Sequence, residues 1–168
     1  MSIGPIIVMG VSGCGKTTAG EALALHFGVP YIEGDALHPA QNVAKMASGT
    51  PLNDDDRWPW LEKIGAALKS HPGGAVATCS SLKKIYRDRL RATAGDGLRF
   101  VFLKCSKEVL EARMRARKGH FMPPSLLASQ LATLEDPSGE AGVAAVNGDA
   151  AHEEIMAEII GKLGTAHG

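Results

Sequence analysis

Short apolar runs alternate along the chain with longer segments in which apolar residues recur at helical spacing. The runs are rich in β-branched and aromatic residues and have the length of buried strands. They predict strands at residues 5–9, 29–33, 75–79, 98–103 and 142–146. Buried strands separated by helices are typical of a parallel sheet covered on both faces. The pattern therefore predicts a three-layer α/β fold with a five-stranded parallel sheet and helices on both faces.

The segments between these runs carry the signals of helices. In residues 16–27 the apolar side chains fall on one face, and Gly28 follows as a C-cap. Another helix is expected to begin at Pro59, because proline suits the first helical position. The remaining helices are predicted at residues 39–46, 82–92, 106–115 and 124–134 and around residues 155–163.

Composition narrows the class of protein. The 168 residues predict a single domain spanning residues 1–168. Lys plus Arg and Asp plus Glu number 18 each, so the basic excess of a dedicated nucleic-acid or membrane-surface binder is missing. Three sparse cysteines favour free thiols, and the N-terminal residues lack the pattern of a signal peptide. We therefore expect a cytoplasmic protein with no nucleic-acid or membrane partner.

A glycine-rich loop follows the first predicted strand. Residues 10–17 match G-x-x-x-x-G-K-[ST] and precede a predicted helix, which is the context of a phosphate-binding P-loop. Lys16 is placed to reach the β- and γ-phosphates, and the Thr17 hydroxyl suits Mg²⁺. Cys14 contributes its backbone N–H, with a reactive thiol as an alternative role. The predicted loop contacts to nucleotide are Gly10, Val11, Ser12, Gly13, Cys14, Gly15, Lys16, Thr17 and Thr18.

Two carboxylates and a histidine follow the second predicted strand. Glu33 and Asp35 are two residues apart, so on an extended segment they point the same way. One of them suits Mg²⁺, and the other suits proton removal from an attacking hydroxyl. His38, beside Asp35, is a candidate hydroxyl ligand. The alternative is a pair of ordinary turn acids that cap a helix.

Basic residues beyond these loops are candidate anion ligands. The guanidinium of Arg57 suits a substrate carboxylate, whereas the preceding aspartates 54–56 fit the start of a helix. The stretch 83–91 carries five basic residues and begins at the carboxyl end of the third strand. At least one of them is expected to bind an anion, against the alternative of a solvated helix face.

Taken together, these segments resemble the bacterial gluconokinases. The resemblance runs from about Ile6 to Pro137 and rests on residues 10–17, 33–39, 46–61, 81–91 and 116–121. It implies a P-loop kinase fold and ATP-dependent phosphorylation of D-gluconate at its 6-hydroxyl, giving 6-phospho-D-gluconate and ADP. It also implies a homodimer. Glu33 and Cys14 stand where relatives often have Asp and Ser, and residues 146–149 depart from the usual segment near the adenine.

The resemblance also implies roles for individual residues. Lys16 and Arg117 would stabilise the transferring phosphoryl group, Asp35 would deprotonate the hydroxyl, and Thr17 and Glu33 would hold Mg²⁺. A small helical lid over residues 117–135 would close over ATP. Arg113 is assigned to the adenosine side, His120 to the phosphates or the substrate, and Arg57 with Lys84 or Arg87 to the gluconate carboxylate.

Other functions share some of these features. A shikimate-kinase-like enzyme, or another small-molecule kinase, would use the same fold and P-loop. A non-catalytic nucleotide-gated binding protein would need the P-loop but no substrate-side base. A nucleic-acid-dependent ATPase is disfavoured by the balanced charge.

Overall fold

The chain forms an alternation of strands and helices in a computed structural model that describes residues 3–116 and 124–165. The strands are β1 (Pro5–Met9), β2 (Tyr31–Ile32), β3 (Ala75–Thr78), β4 (Arg99–Lys104) and β5 (Val143–Asn147). The helices are α1 (Lys16–Phe27), α2 (Ala40–Ala47), α3 (Asp54–Lys69), α4 (Lys84–Ala94), α5 (Lys107–Ala116), α6 (Pro124–Thr133) and α7 (His152–Thr165). A short 3-10 helix, Gly34–Leu37, follows β2.

The strands form one parallel sheet in the order β2-β3-β1-β4-β5, which confirms the predicted α/β fold. The register sets Ile7 of β1 opposite Ala77 of β3 and Phe100 of β4. After β1 the chain continues to β2 on one side of the sheet and later to β4 on the other. A parallel sheet binds ligands at such a switch point, beyond the carboxyl ends of its strands.

Two apolar clusters cover the two faces of the sheet. Ile6 and Val8 pack into the cluster that includes residues of α1 and α7. Ile7 and Met9 point to the opposite face, into the cluster that includes residues of α3 and α4. All four side chains are fully buried, as expected for a central parallel strand. The loop after β1 therefore starts from the central strand of the sheet.

The clearest differences from the predicted boundaries lie in three elements, α3, β2 and α4. α3 begins at Asp54, not at Pro59, because Asn53 and Asp56 form a reciprocal capping box that starts the helix one turn earlier. β2 has two residues, not five. α4 begins at Lys84, two residues later than expected, so Lys83 is an extended cap residue outside the helix. Among the described residues, no helix combines the length and apolarity needed to cross a membrane.

Candidate active site

The loop between β1 and α1 has the backbone shape of a phosphate cradle. Gly13 and Gly15 have φ values of 86° and 94°, a region that strains residues with a side chain. Lys16 donates hydrogen bonds to the carbonyls of Gly10 and Val11 at 3.0 and 3.2 Å, so its ammonium group lies over the loop. This arrangement places a cation next to amides at a helix N-terminus, where phosphate oxygens bind.

Distant segments hold this loop from outside. The Ser12 N–H donates to Gln130 Oε1 at 2.7 Å, and Gln130 Nε2 donates to the Ser12 hydroxyl at 3.1 Å. Arg113 donates to the carbonyls of Cys14 at 3.2 Å and Gly148 at 2.8 Å. Arg113 thus joins the P-loop to the loop after β5, whereas Gln130 brings α6 against it. No sequence motif pointed to Gln130.

The thiol of Cys14 faces the protein interior. Its side chain is buried, and a Cβ added to Gly10 would lie 2.7 Å from its Sγ, so the thiol packs against that glycine. A hydrogen bond with the Cys105 thiol outweighs burial and, with the charge of Lys16, lowers the pKa of Cys14 to about 6. The same hydrogen bond raises the pKa of Cys105. The Cys14 thiol is thus enclosed by the protein, and the Cys14 N–H donates to the Val11 carbonyl at 3.3 Å.

Thr17 and Glu33 meet beside the cradle. Glu33 Oε2 accepts hydrogen bonds from the Thr17 hydroxyl at 3.2 Å and from the Tyr31 hydroxyl at 2.7 Å, and Oε1 accepts one from Thr78 at 2.9 Å. Burial, partly offset by a hydrogen bond with Thr78, raises the pKa of Tyr31 to about 12, so its phenol remains a donor.

This oxygen pair fits Mg²⁺, a cation that prefers hard oxygen ligands and keeps water and phosphate oxygens around it. In the described part of the chain, no group of three or more His, Cys, Asp or Glu side chains is arranged to hold a metal. A metal at this position would therefore take most of its ligands from the nucleotide and water. Tyr31 and Thr78, which orient the carboxylate of Glu33, were missed by sequence reasoning.

Close packing fixes the 3-10 helix that carries Asp35. A Cβ on Gly34 would lie 1.8 Å from the carbonyl oxygen of Thr78, so only glycine allows this approach to β3. The indole N–H of Trp60 donates to the Gly34 carbonyl at 2.8 Å. The 3-10 helix is thus held between β3 and α3, and Asp35 is exposed on it at the ligand edge of the sheet.

The pKa shifts of Cys79 and His38 indicate which charged groups lie near them at this edge of the sheet. Burial raises the pKa of Cys79, after β3, to about 11; the charge of Asp35 raises it further, and that of Lys16 lowers it. Burial lowers the pKa of His38. The negative charge of Asp35 opposes this shift, and the positive charge of Arg57 adds to it. Asp35 therefore shares the neighbourhood of Cys79 with Lys16 and the neighbourhood of His38 with Arg57.

A buried amide orients His38. The imidazole stacks on Trp60 with 4.0 Å between ring centroids and 15° between planes. The Asn42 amide nitrogen donates to the Asp56 carbonyl at 2.9 Å and lies 3.2 Å from His38 Nδ1. Because that nitrogen is a donor, Nδ1 is the acceptor, and the neutral imidazole carries its proton on Nε2. His38 therefore presents an N–H donor, through a contact to Asn42 that sequence reasoning missed.

Arg57 lies in an aromatic and acidic environment. Its Nη1 donates to the Tyr86 hydroxyl at 3.0 Å, and its guanidinium carbon is 5.3 Å from the centre of that ring. The Tyr86 hydroxyl in turn donates to Asp54. About a quarter of the Arg57 side chain remains exposed, at 27%. The guanidinium is thus positioned by protein groups and still accessible to a ligand.

Arg87, predicted as a carboxylate ligand, has a structural role instead. Its side chain is fully buried and pairs with Glu140 at 2.6 Å. Other N–H groups donate to the carbonyls of Ser81 at 2.8 Å and Glu135 at 3.0 Å. Because these partners enclose the guanidinium, we correct the expectation that Arg87 contacts substrate. Lys84, the other candidate, is exposed and pairs with Asp88 one turn along α4 at 2.8 Å.

Two further candidates, Arg117 and His120, lie outside the described residues, as do residues 117–123 of the expected lid. The rest of that segment includes α6, whose Gln130 contacts the P-loop. Thr18, also assigned to the nucleotide, is exposed in the first turn of α1.

Known proteins share both the sequence and the fold. The profile of a family described as an AAA domain matches residues 6–137. A gluconokinase from Gluconobacter oxydans is 48% identical over 160 residues, covering 92% of this chain and 88% of the relative. The crystal structure of a gluconokinase from Sinorhizobium meliloti 1021 has a TM-score of 0.91 and 53% identity, covering 97% of this chain and 93% of that one.

A more distant structure marks the limit of the likeness. Shikimate kinase from Bacteroides thetaiotaomicron covers 98% of each chain with a TM-score of 0.67, but at 18% identity it shares the fold alone. The gluconokinases, in contrast, match over most of the chain at much higher identity. Since identities of 48% and 41% to two of them extend over 92% of the chain, this protein belongs to the gluconokinase family of P-loop kinases.

Proposed function

We propose that this protein transfers the γ-phosphoryl group of ATP to the 6-hydroxyl of D-gluconate, giving 6-phospho-D-gluconate and ADP. The observation that carries the proposal is the exposure of Asp35 on a 3-10 helix that β3 and Trp60 hold at the carboxyl edge of the sheet, the edge that also carries the P-loop. A phosphate cradle and a hydroxyl-activating carboxylate at the same edge of the sheet, beyond the ends of β1 and β2, are what phosphoryl transfer to an alcohol requires.

On the nucleotide side, those main-chain amides of residues 10–18 that the protein does not engage, unlike the Gly10 and Ser12 amides, bind the phosphates, and Lys16 neutralises charge on the transferring group. Arg113 supports the adenosine side through the Cys14 and Gly148 carbonyls. Thr17 and Glu33 are the groups that would hold Mg²⁺, which, when bound, neutralises charge on the phosphate oxygens. Little covalent chemistry is left to the protein, so positioning and charge supply most of the acceleration.

On the acceptor side, Asp35 accepts the proton of the attacking hydroxyl. His38 donates its Nε2–H to a substrate hydroxyl, because Asn42 holds the opposite ring nitrogen as an acceptor. The planar guanidinium of Arg57 binds the gluconate carboxylate. These three groups would bind a polyhydroxy acid at both ends and along its chain.

The remaining assignments rest on the family. We propose that Arg117 adds charge to the transferring phosphoryl group, that His120 contacts phosphate or substrate, and that residues 117–135 act as a lid. Closure of such a lid would exclude water, which competes with the sugar hydroxyl for the phosphoryl group. We also propose that the protein works in the cytoplasm as a homodimer.

A coupled ADP-release assay tests the function directly. Purified protein with ATP and Mg²⁺ is offered D-gluconate, shikimate, adenylylsulfate or nucleosides. We expect gluconate to give the highest kcat/KM by at least tenfold, and the product to carry phosphate on O6 by ³¹P–¹H NMR. Preference for shikimate or another acceptor would overturn the gluconate assignment. ATP binding without acceptor-stimulated ADP release would indicate a nucleotide-gated binding protein.

A further inference from the structure

Two cations, not one, lie against the Tyr86 ring. The Arg57 guanidinium carbon is 5.3 Å from the ring centre, and the Lys83 ammonium nitrogen is 5.6 Å from it. Arg57 comes from α3, whereas Lys83 is the extended residue just before α4. Two cations from different elements around one aromatic ring form a compact positive site.

One carboxylate serves both cations. Lys83 Nζ is 3.6 Å from Asp54 Oδ1, and Arg57 Nη1 is 3.8 Å from the same oxygen. Both separations lie within ion-pair range but exceed the length of a good charge-assisted hydrogen bond. Within the described residues, Asp54 is the only acidic ion-pair partner of either cation. The cluster therefore carries one more positive than negative charge and keeps unused donors.

The Asp54 oxygen is further engaged by Tyr86, whose hydroxyl donates to it. Burial, with the hydrogen bond to Asp54, raises the pKa of Tyr86 to about 12, so the phenol keeps its proton across the working pH range. Lys83 and Arg57 side chains are 33% and 27% exposed. Tyr86 and Asp54 thus hold two partly exposed cations in place without neutralising both of them.

The location of this cluster follows from its coupling to the acceptor site. The charge of Arg57 acts on His38, and His38 in turn is coupled to Asp35. His38 also stacks on Trp60, three residues after Arg57 in α3, and the Trp60 indole donates to the carbonyl of Gly34, next to Asp35. D-gluconate carries its 6-hydroxyl and its carboxylate at opposite ends of one chain, so a hydroxyl at Asp35 directs the carboxylate past His38 toward the cations.

We propose that Lys83, together with Arg57, binds the carboxylate of the acceptor, and that Tyr86 and Asp54 are positioning residues for this pair. The proposal rests on the function proposed above. It assigns Lys83, instead of Lys84 or Arg87, as the partner of Arg57. A second carboxylate would complete the charge balance of the cluster and take the donors that Asp54 leaves unused.

The neighbouring lysine provides a matched control. Lys84 has the same charge and length, but it lies inside α4 and pairs with Asp88 at 2.8 Å. We compare Lys83→Met, Lys83→Arg and Lys84→Met, measuring kcat and KM for gluconate and KM for ATP. Thermal melting and circular dichroism confirm that each variant is folded.

We expect Lys83→Met to raise the KM for gluconate roughly 10- to 100-fold, the value of one charge-assisted hydrogen bond. Its kcat and its KM for ATP should change by less than about threefold, because the carboxylate is remote from the transferring group. Lys83→Arg should recover most of the loss, and Lys84→Met should behave like the wild type within about twofold.

The outcomes separate this proposal from the one it rests on. An unchanged gluconate KM in Lys83→Met, or equal effects of Lys83→Met and Lys84→Met, would overturn the assignment of Lys83 while leaving the gluconokinase activity intact. A fall in kcat with KM unchanged would also overturn it. Wild-type protein that turns over no acidic acceptor would overturn both proposals, since the cluster would then have no substrate carboxylate to bind.

Discussion

The proposed nucleotide side of the site consists mainly of main-chain groups, whereas the proposed acceptor side consists of side chains. On the nucleotide side a single run of residues, 10–17, presents main-chain amides, and its side chains mostly pack inward or brace the loop. On the acceptor side the groups proposed to bind substrate are side chains from the 3-10 helix and the residue after it, from α3 and from the residue before α4. A phosphate needs only a ring of N–H donors, whereas a polyhydroxy acid needs groups of different charge at defined separations.

This difference predicts where substitutions are tolerated. On the acceptor side each contact depends on one side-chain identity, so single changes should alter activity selectively. On the nucleotide side, side chains should be replaceable wherever the main chain keeps its shape, with Lys16 as the exception because its charge lies over the loop. The following substitutions test that contrast.

Lys16→Ala should have the largest effect. The variant removes the cation that faces the transferring group, and we expect kcat/KM for gluconate to fall by roughly 10⁴-fold. Steady-state ADP release measures the change. Lys107→Ala, an exposed lysine whose partner Glu111 is 3.9 Å away, serves as control and should keep wild-type activity. Near-normal turnover by Lys16→Ala would refute the phosphate-loop role.

Asp35→Asn should rank second and act on kcat. The amide cannot accept the proton of the attacking hydroxyl, so we expect kcat to fall by roughly 10³-fold with the KM for gluconate within about threefold. Asp96→Asn is the control, since Asp96 is an exposed carboxylate in the turn before β4, at the opposite edge of the sheet. A KM effect without a kcat effect would make Asp35 a binding group, not a base.

The same contrast explains what could be predicted from the sequence. The five strands, their helices and the P-loop depend on local patterns, namely apolar runs, helical spacing and one contiguous motif, and they were placed correctly. The boundary of α3 was missed because Pro59 was taken as the first helical position, whereas Asn53 and Asp56 form the capping box that starts the helix. The brace from Gln130 to Ser12 joins residues 118 apart, which no local pattern reveals.

The error over the basic stretch has an instructive cause. The helix was predicted to begin at residue 82, which places Lys83 inside it as one more cation of an amphipathic face. The observed start at Lys84 leaves Lys83 extended and free to reach Tyr86. Arg87 is buried because Glu140 lies across from it, 53 residues further along the chain. Helical spacing shows which face a residue occupies but not what packs against that face.

Arg87→Met should affect stability more than chemistry. The change leaves Glu140 and the Ser81 carbonyl without their buried partner, and we expect the free energy of unfolding to fall by about 3 kcal/mol. Urea denaturation at pH 7 measures it. Arg89→Met removes a surface pair with Glu62 and should cost less than about 1 kcal/mol. Equal losses in the free energy of unfolding for the two variants would contradict the structural role of Arg87.

The pH dependence of this difference has a definite sign. Burial would raise the pKa of Glu140, but hydrogen bonds from Arg87 and Arg91 outweigh it and hold that pKa below the usual 4.5. A carboxylate with a depressed folded-state pKa stabilises the fold above its unfolded pKa, and the contribution is lost as pH falls through the folded value. The stability gap between wild type and Arg87→Met should therefore be full at pH 7 and narrow below about pH 4.5. A constant gap down to pH 3 would contradict this account.

Cys14→Ser should have the smallest effect, although it changes a residue of the P-loop itself. The buried thiol faces Gly10 and Cys105, not the surface of the loop, so kcat/KM should stay within about threefold of wild type. Stability should fall by about 1 kcal/mol, because a hydroxyl is costlier to bury than a thiol. Gly15→Ala is the matched variant on the main-chain side. The added methyl group would meet no atom within 4 Å, but φ at this position is 94°, which strains any residue with a side chain. Strain of about 1–2 kcal/mol would then distort the amides and lower activity more than Cys14→Ser does. If Cys14→Ser were the more damaging of the two in steady-state assays, side chains and not the main chain would govern nucleotide binding.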